Sequence, residues 1–566
     1  MEMNLERIQA LLNELYPTEQ AELAFQQIKA LIAGAPPVKT YPSPYFSERT
    51  VTLITYGDTL QSTDEAPLKT LHTFVNEHLK GVIDTVHILP FYPFSSDDGF
   101  SVIDYFAVNP ALGTWGDIVQ LSRDFRLMFD AVINHMSAES IWFQRFLAND
   151  PEYKNMFITE SPQTDLSSVT RPRTTPLLTP FSKKDGQIIH VWTTFSADQV
   201  DLNYRDPQTL LQILKVLLFY IAQGAQVIRL DAIGYAWKTV GTSSIHLPET
   251  HAVVQLIRAV LNAVAPEIIL ITETNVPHRE NVSYFGDGSN EAQLVYNFTL
   301  PPLLLHTLIS GNANHLSDWL NSLDTLTAST AFFNFTASHD GIGVRPVEDM
   351  LTGEEIQKLI DTVEQRGGRV SYRANSDGSR SPYELNIAYV DAVAPPELPE
   401  ALRISCFLLS QAVMLSLAGV PAVYIHSLLG SHNNVEGVEE TGQNRTINRA
   451  KLSIEDINSE LQDSASFRAK VFNGYRHMLR VRTEHPAFHP HGRQKAFSLN
   501  AGAVLALERT APDDSEHIIA VFNVTDQAQT IQISAQTDID VLSGERCEKT
   551  ISLAPYQVRW LHHRPV

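Results

Sequence analysis

Two acidic side chains stand where the chain could do chemistry. Asp231 follows the short run Gln226-Val-Ile-Arg-Leu230, and Glu273 follows Ile268-Ile-Leu-Ile-Thr272. Helical spacing flanks the first run, over Leu210 to Ala222 before it and His251 to Val264 after it. Each run therefore reads as a buried strand with a carboxylate at its C-terminal end. In a barrel of parallel strands, side chains at those ends converge on one mouth. Two acids facing one mouth suit glycoside chemistry, in which one attacks the anomeric carbon and the other protonates the leaving oxygen. The alternative is a pair of strand-end carboxylates that cap helices, and one such Asp alone would fit that reading better. Arg229 lies two residues before Asp231 and so on the same strand face, where it can hold that carboxylate ionised.

The surrounding elements supply the scaffold. Val51 to Tyr56, Thr85 to Leu89 and Arg126 to Asn134 read as strands, with helices over Pro67 to Leu79 and Gly116 to Ser122 between them. Repeated strand–helix units predict a parallel α/β sheet, and their number predicts a closed (β/α)8 TIM barrel. The barrel is expected to occupy 46–136 and 206–485. A helical segment over 1–45, closed by proline-rich sequence, precedes it. The rhythm stops at 137–205, rich in proline, and again at 345–395, rich in glycine, serine and charge. Loops of that length inside a barrel are expected to be functional insertions. Alternating sequence in 490–566, such as His517-Ile-Ile-Ala-Val-Phe522, predicts a C-terminal antiparallel β domain.

Composition narrows the partners. The chain has 566 residues and a formal net charge of −22, which argues against nucleic acid and anionic membranes as partners. Hydrophobic residues make up 43%, ample for a large core. Only Cys406 and Cys547 are present, so neither a disulfide scaffold nor a thiolate zinc site is expected. No apolar run reaches bilayer length and the N-terminus lacks the pattern of a signal peptide, so a cytoplasmic location is expected. Composition leaves the oligomeric state open.

Four stretches in chain order resemble the signatures of the α-amylase-type glycoside hydrolase family: Asp130-Ala-Val-Ile-Asn-His135, Val227-Ile-Arg-Leu-Asp-Ala232, Ile271-Thr-Glu-Thr274 and Asn334-Phe-Thr-Ala-Ser-His-Asp340. The resemblance implies that Asp231 is the nucleophile, Glu273 the general acid/base and Asp340 the stabiliser of the transition state. It implies that His135 and His339 hydrogen-bond sugar hydroxyls and that Asp130 supports its strand end.

Further stretches are similar to the sucrose phosphorylase group of that family: Ser95-Ser-Asp-Asp-Gly-Phe-Ser-Val-Ile-Asp-Tyr105, Val169-Thr-Arg-Pro-Arg173, Phe195-Ser-Ala-Asp-Gln-Val-Asp-Leu-Asn203 and Asn444-Arg-Thr-Ile-Asn-Arg449. By that resemblance Asp97 and Arg449 clamp the far end of one glucose ring. Phe100 and Phe195 form apolar walls, and Gln199 hydrogen-bonds near the leaving group. Arg171 and Arg173 are the candidates for phosphate, an anion that needs positive charge. No metal or organic cofactor is implied. The small-molecule partners are an α-glucoside and inorganic phosphate.

With the Ser95-Ser-Asp-Asp-Gly-Phe100 run, the blocks Thr272-Glu-Thr-Asn-Val-Pro-His278, Ser338-His-Asp-Gly-Ile-Gly343 and Ser427-Leu-Leu-Gly430 resemble glucosylglycerate phosphorylases most, with glucosylglycerol phosphorylases in the same group. One loop departs. Gly430-Ser-His-Asn433 carries His432 where an arginine is expected to meet a glycerate carboxylate, and Glu436, Glu439 and Glu440 follow it. On that ground the expected reaction is reversible, retaining phosphorolysis of 2-O-α-glucosylglycerol to α-glucose 1-phosphate and glycerol. Phosphorolysis of glucosylglycerate or sucrose is the alternative, with Arg445 or Arg380 supplying the charge in the glycerate case. A hydrolase or transglycosylase on the same scaffold is a further one.

Overall fold

The computed structural model describes residues 2–35, 45–323, 326–375, 377–533 and 537–563. The proline-rich stretch expected to close the N-terminal segment lies largely outside them.

Eight parallel strands close a barrel: β1 (Thr52–Thr55), β2 (Thr85–Ile88), β3 (Arg126–Ala131), β4 (Ala225–Leu230), β5 (Ile269–Thr272), β6 (Leu294–Tyr296), β7 (Ala331–Phe335) and β8 (Val420–Tyr424). Each pairs with its sequence neighbours, and β8 returns to β1 with Ile54 opposite Tyr424. A strand buried on both faces needs no polar alternation, which is why the barrel strands read as near-continuous apolar runs. All six residues of β4 are buried, Arg229 among them.

Register places the acids. Arg229 pairs with Ile271 and Leu230 with Thr272 across β4 and β5. Glu273 then donates its backbone N–H to the Leu230 carbonyl at 3.2 Å, so Asp231 and Glu273 leave adjacent strands side by side. On the other flank Asp130 pairs with Arg229.

The chain between β3 and the helix Pro207–Ala222 is less irregular than its prolines suggest. Two small antiparallel ladders frame it, His135–Ser137 with Gln199–Asp201 and Leu178–Ser182 with Ile188–Trp192. The stretch after β7 carries a helix, Gly353–Gln365, and a hairpin, Arg369–Ala374 with Arg380–Asn386. Sequence reading extends the third strand to Asn134, but the ladder ends at Ala131, because residues 132–134 turn toward the first insertion. Strand β6, only three residues long, gives too short a run to be read from periodicity.

At the C-terminus a five-stranded antiparallel sheet runs in the order Arg493–Leu499, Val504–Thr510, His517–Asn523, Val558–His563, Thr537–Asp540. Buried Arg509, on the second of these strands, joins the sheet to the barrel at a helix end that buried Arg482, on the helix Phe467–Glu484, also bonds. Arg482 Nε and Arg509 Nη1 donate to the carbonyls of Leu415 and Ser416, at 2.9 and 2.6 Å. These carbonyls end the helix Glu400–Ser416, where positive charge is favourable. The N-terminal helices Glu2–Leu15 and Thr18–Ala33 pack on the barrel helices Pro248–Val264 and Pro207–Ala222.

Candidate active site

A cavity of about 670 Å³ opens at the C-terminal mouth of the barrel. Asp231, Glu273 and Asp340 all line it. Arg229 organises the first two. Its Nη1 donates to Asp231 Oδ1 at 2.7 Å and to Asp130, and its Nη2 lies 3.8 Å from Glu273 Oε2. The guanidinium sits between the rings of Phe100 and Tyr296, 5.6 and 5.3 Å from their centroids. Asp130 is held from below by His87 Nε2 at 2.7 Å. Glu273 Oε2 also accepts the Ala232 N–H at 3.0 Å.

Burial raises both carboxyls, and the neighbouring acids add to it. Glu273 is pushed up to about 7 and Asp231 to about 6, Arg229 opposing the rise in each case. With Arg229 hydrogen-bonded to Asp231 at 2.7 Å and 3.8 Å from Glu273, the first proton to leave the pair is that of Asp231. A neutral site therefore holds an anion on β4 and an acid on β5, the division of labour that double displacement requires.

Asp340 is different. Burial would raise its pKa, but Arg445, then Arg229 and Arg449, outweigh burial and hold it below the usual carboxylate range. Arg445 Nη1 contacts Asp340 Oδ1 at 2.8 Å, and its Nε donates to Glu384 Oε2 at 3.0 Å. Glu384 stands on the hairpin of the second insertion and is buried.

Opposite the acids, Arg449 Nη1 meets Asp98 Oδ2 at 2.7 Å, whereas Asp97 Oδ1 is 3.9 Å away. The expected clamp of Asp97 with Arg449 is thus a cluster in which Asp98 makes the shorter contact. Arg449 Nη2 and Asn275 Oδ1 are buried without a hydrogen-bond partner among the described residues, and sugar hydroxyls would satisfy such atoms. Phe100 lies flat on His339, 4.8 Å between centroids and 3° between planes. Burial drives the pKa of His339 well down and lowers that of His135, leaving both rings neutral. Gln199 Nε2 donates to the Phe100 carbonyl at 3.1 Å and to Asp97 Oδ2 at 3.3 Å. Phe195 packs edge-on against Tyr235.

Two expected residues fall elsewhere. Arg171 bonds the Thr175 carbonyl within its own loop and does not line the cavity, whereas Arg173 does. Arg173 lies between the rings of Phe195 and Tyr383, 5.7 and 5.2 Å from their centroids. It also lines a wider outer cavity of about 1760 Å³. Among the described residues no carboxylate lies within ion-pair distance of it. His432 lines neither cavity. Its Nδ1 meets Asp391 Oδ1 at 2.6 Å and its ring packs on Phe467, so the loop turns this side chain away from the mouth. Sequence reasoning missed Tyr235, Asn275, Tyr383 and Glu384 as cavity residues and left Arg445 only as a substitute charge. Tyr235 and Asn275 stand four and two residues beyond the acids, a usable signal. Glu384 has none.

Comparison with known proteins places this geometry. Residues 77–343 match the family described as Alpha amylase, catalytic domain. A glucosylglycerate phosphorylase of Spirochaeta thermophila is 47% identical, across 98% of both chains. The chain belongs to the α-amylase family, in its group of glycoside phosphorylases. A glucosylglycerol phosphorylase of Marinobacter adhaerens is 30% identical over 78% of this chain and 88% of its own. The crystal structure of a sucrose 6F-phosphate phosphorylase from Thermoanaerobacter thermosaccharolyticum superposes with a TM-score of 0.73 at 28% identity, covering 84% of this chain and 94% of that one. Such phosphorylases are hexosyltransferases, and this member of the group carries an Asp, a Glu and a second Asp at its barrel mouth.

Proposed function

We propose that this chain phosphorolyses α-glucosylglycerate, giving α-glucose 1-phosphate and glycerate with retention of configuration. Asp231, ionised beside Arg229, attacks the anomeric carbon, and Glu273 gives its proton to the departing glycerate oxygen. Asp340 faces the same space with its charge fixed by Arg445, able to stabilise positive charge on the sugar in the transition state. Phosphate then attacks the glucosyl–Asp231 ester. The bond to Asp231 breaks, the carboxylate is regenerated, and the proton released by phosphate returns to Glu273. The anion is already a nucleophile at neutral pH and needs no strong base.

The observation that carries the acceptor is the gap between 47% identity over 98% of the chain and 30% over 78% for the glycerate and glycerol enzymes. Electrostatics agrees. A glycerate carboxylate buried without a cation costs several kcal/mol, and Arg173 offers a cavity-lining guanidinium that makes no ion pair among the described residues. His432, on which the glycerol reading rests, faces away from the cavity. The test runs the reaction in reverse, with α-glucose 1-phosphate as donor and phosphate release as readout. Glycerate is expected to be used faster than glycerol at equal concentration, and the anomeric signal of the product by NMR is expected to be α. Faster release with glycerol would restore the glucosylglycerol reading. Turnover of the glucoside without phosphate would favour a hydrolase.

A further inference from the structure

The loop after β2 holds three consecutive residues in the left-handed region, Asp97 at φ 52°, Asp98 at 49° and Gly99 at 109°. Side chains with a Cβ disfavour that region. At Gly99 a Cβ would lie 2.5 Å from the Pro90 carbonyl oxygen, so the turn also requires its glycine. Yet this loop presents Asp98 to Arg449, Asp97 to Gln199 and Phe100 to His339. A backbone in sparsely populated conformations persists only where its surroundings over-determine it.

The surroundings that do so converge on one carboxylate outside the catalytic set. Asp198 Oδ2 accepts from the hydroxyls of Ser95 and Ser101, both at 2.6 Å, and from that of Ser96. Its Oδ1 accepts from Ser137 and from the Ala138 N–H, both at 3.3 Å. Ser95 and Ser101 bracket the strained turn, Ser137 belongs to the ladder beyond β3, and Asp198 immediately precedes Gln199. Burial would raise this carboxyl, but the hydroxyls of Ser101, Ser95 and Ser96 outweigh burial and favour the anion. Among the described residues no cation pairs with it. Its charge is thus committed to gathering donors from two loops.

We infer that Asp198 is a positioning residue, which pins the strained 97–99 turn so that Asp97, Asp98 and Phe100 meet the glucosyl unit. It touches no reacting atom. The effect of losing it should fall mainly on the glucosyl donor, because Asp97 and Phe100 line the inner cavity together with Asp231, Glu273 and Asp340.

Asp198→Asn tests this, since the amide keeps the volume but loses one acceptor oxygen and brings donors to face hydroxyls. With α-glucose 1-phosphate as donor, KM for the donor should rise about ten-fold or more, with kcat and the acceptor KM within about three-fold of wild type. Hydrogen exchange read by mass spectrometry should speed up in residues 95–101 and stay unchanged in the barrel strands. A Ser96→Ala/Ser101→Ala double variant should act in the same direction, and it decides the matter if Asp198→Asn does not fold. Unchanged exchange in 95–101 together with an unchanged donor KM would overturn the inference. The donor kinetics rest on the proposed phosphorylase activity. If the wild-type protein does not use α-glucose 1-phosphate, that proposal has failed and the exchange measurement alone decides the role of Asp198.

Discussion

Arg445 contacts the barrel-mouth acid Asp340 at 2.8 Å while Glu384, from the hairpin of the second insertion, holds the other edge of its guanidinium. One arginine thus ties the roof of the site to its floor. Burial alone would lower its pKa, but Asp340 and Glu384 raise it well above the usual value. Arg445→Ala would leave two buried carboxylates without their shared cation. Removing one partner of a buried pair costs about 3–5 kcal/mol, and if about 3 kcal/mol of that reaches the transition state, kcat/KM falls about 100-fold. Steady-state kinetics on the purified variant checks this. Glu384→Gln, which frees Arg445 without removing it, should lose less.

The pH profile should be bell-shaped, with its limbs assigned by chemistry. Glucosylation needs Asp231 ionised and Glu273 protonated, so kcat/KM for the glucoside should rise as pH passes about 6 and fall as it passes about 7. Glu273→Gln cannot lose a proton there. With α-glucosyl fluoride, whose leaving group needs no acid, that variant should keep activity and show no alkaline limb. A persisting alkaline limb would assign it to another group.

The same residue has a stability signature. The pKa of Glu273 is raised on folding, so its contribution to stability is present below the unfolded pKa and is lost as pH rises through about 7. Glu273→Gln removes the buried anion. Its Tm relative to wild type should therefore be more favourable at pH 8 than at pH 5, measured by calorimetry at both.

Arg173 and Arg171 should separate cleanly. Arg173 borders both cavities and stands between two aromatic rings, whereas Arg171 is spent on its own loop. Arg173→Ala should raise KM for phosphate about ten-fold or more, whereas Arg171→Ala should stay within about two-fold. Phosphate titrations at saturating glucoside measure both.

His432→Arg should leave the ratio of glycerate to glycerol turnover within about two-fold of wild type, since the side chain points to Asp391 and not to the acceptor. Competition assays with α-glucose 1-phosphate give that ratio directly. A strong shift toward glycerate would show that the loop turns inward when substrate binds.

The sequence alone determined the barrel and the two strand-end acids at its mouth, because both are written in short-range pattern. Buried parallel strands are runs of a few apolar residues, and an acid one position past such a run has nowhere to go but the mouth. Asp231 and Glu273 follow from that rule, and Arg229, two residues before Asp231, from the alternation of the strand. Tertiary structure decided what stands opposite them. Glu384 meets Arg445 across 61 positions and Asp198 meets Ser96 across 102, each from an insertion whose placement over the mouth no local period records. His432 was misread for the same reason: a loop's composition does not say which way its side chains face. A strand's alternation fixes orientation locally, whereas a loop's orientation is fixed by the partners that satisfy its polar groups, and only the folded chain brings those partners together.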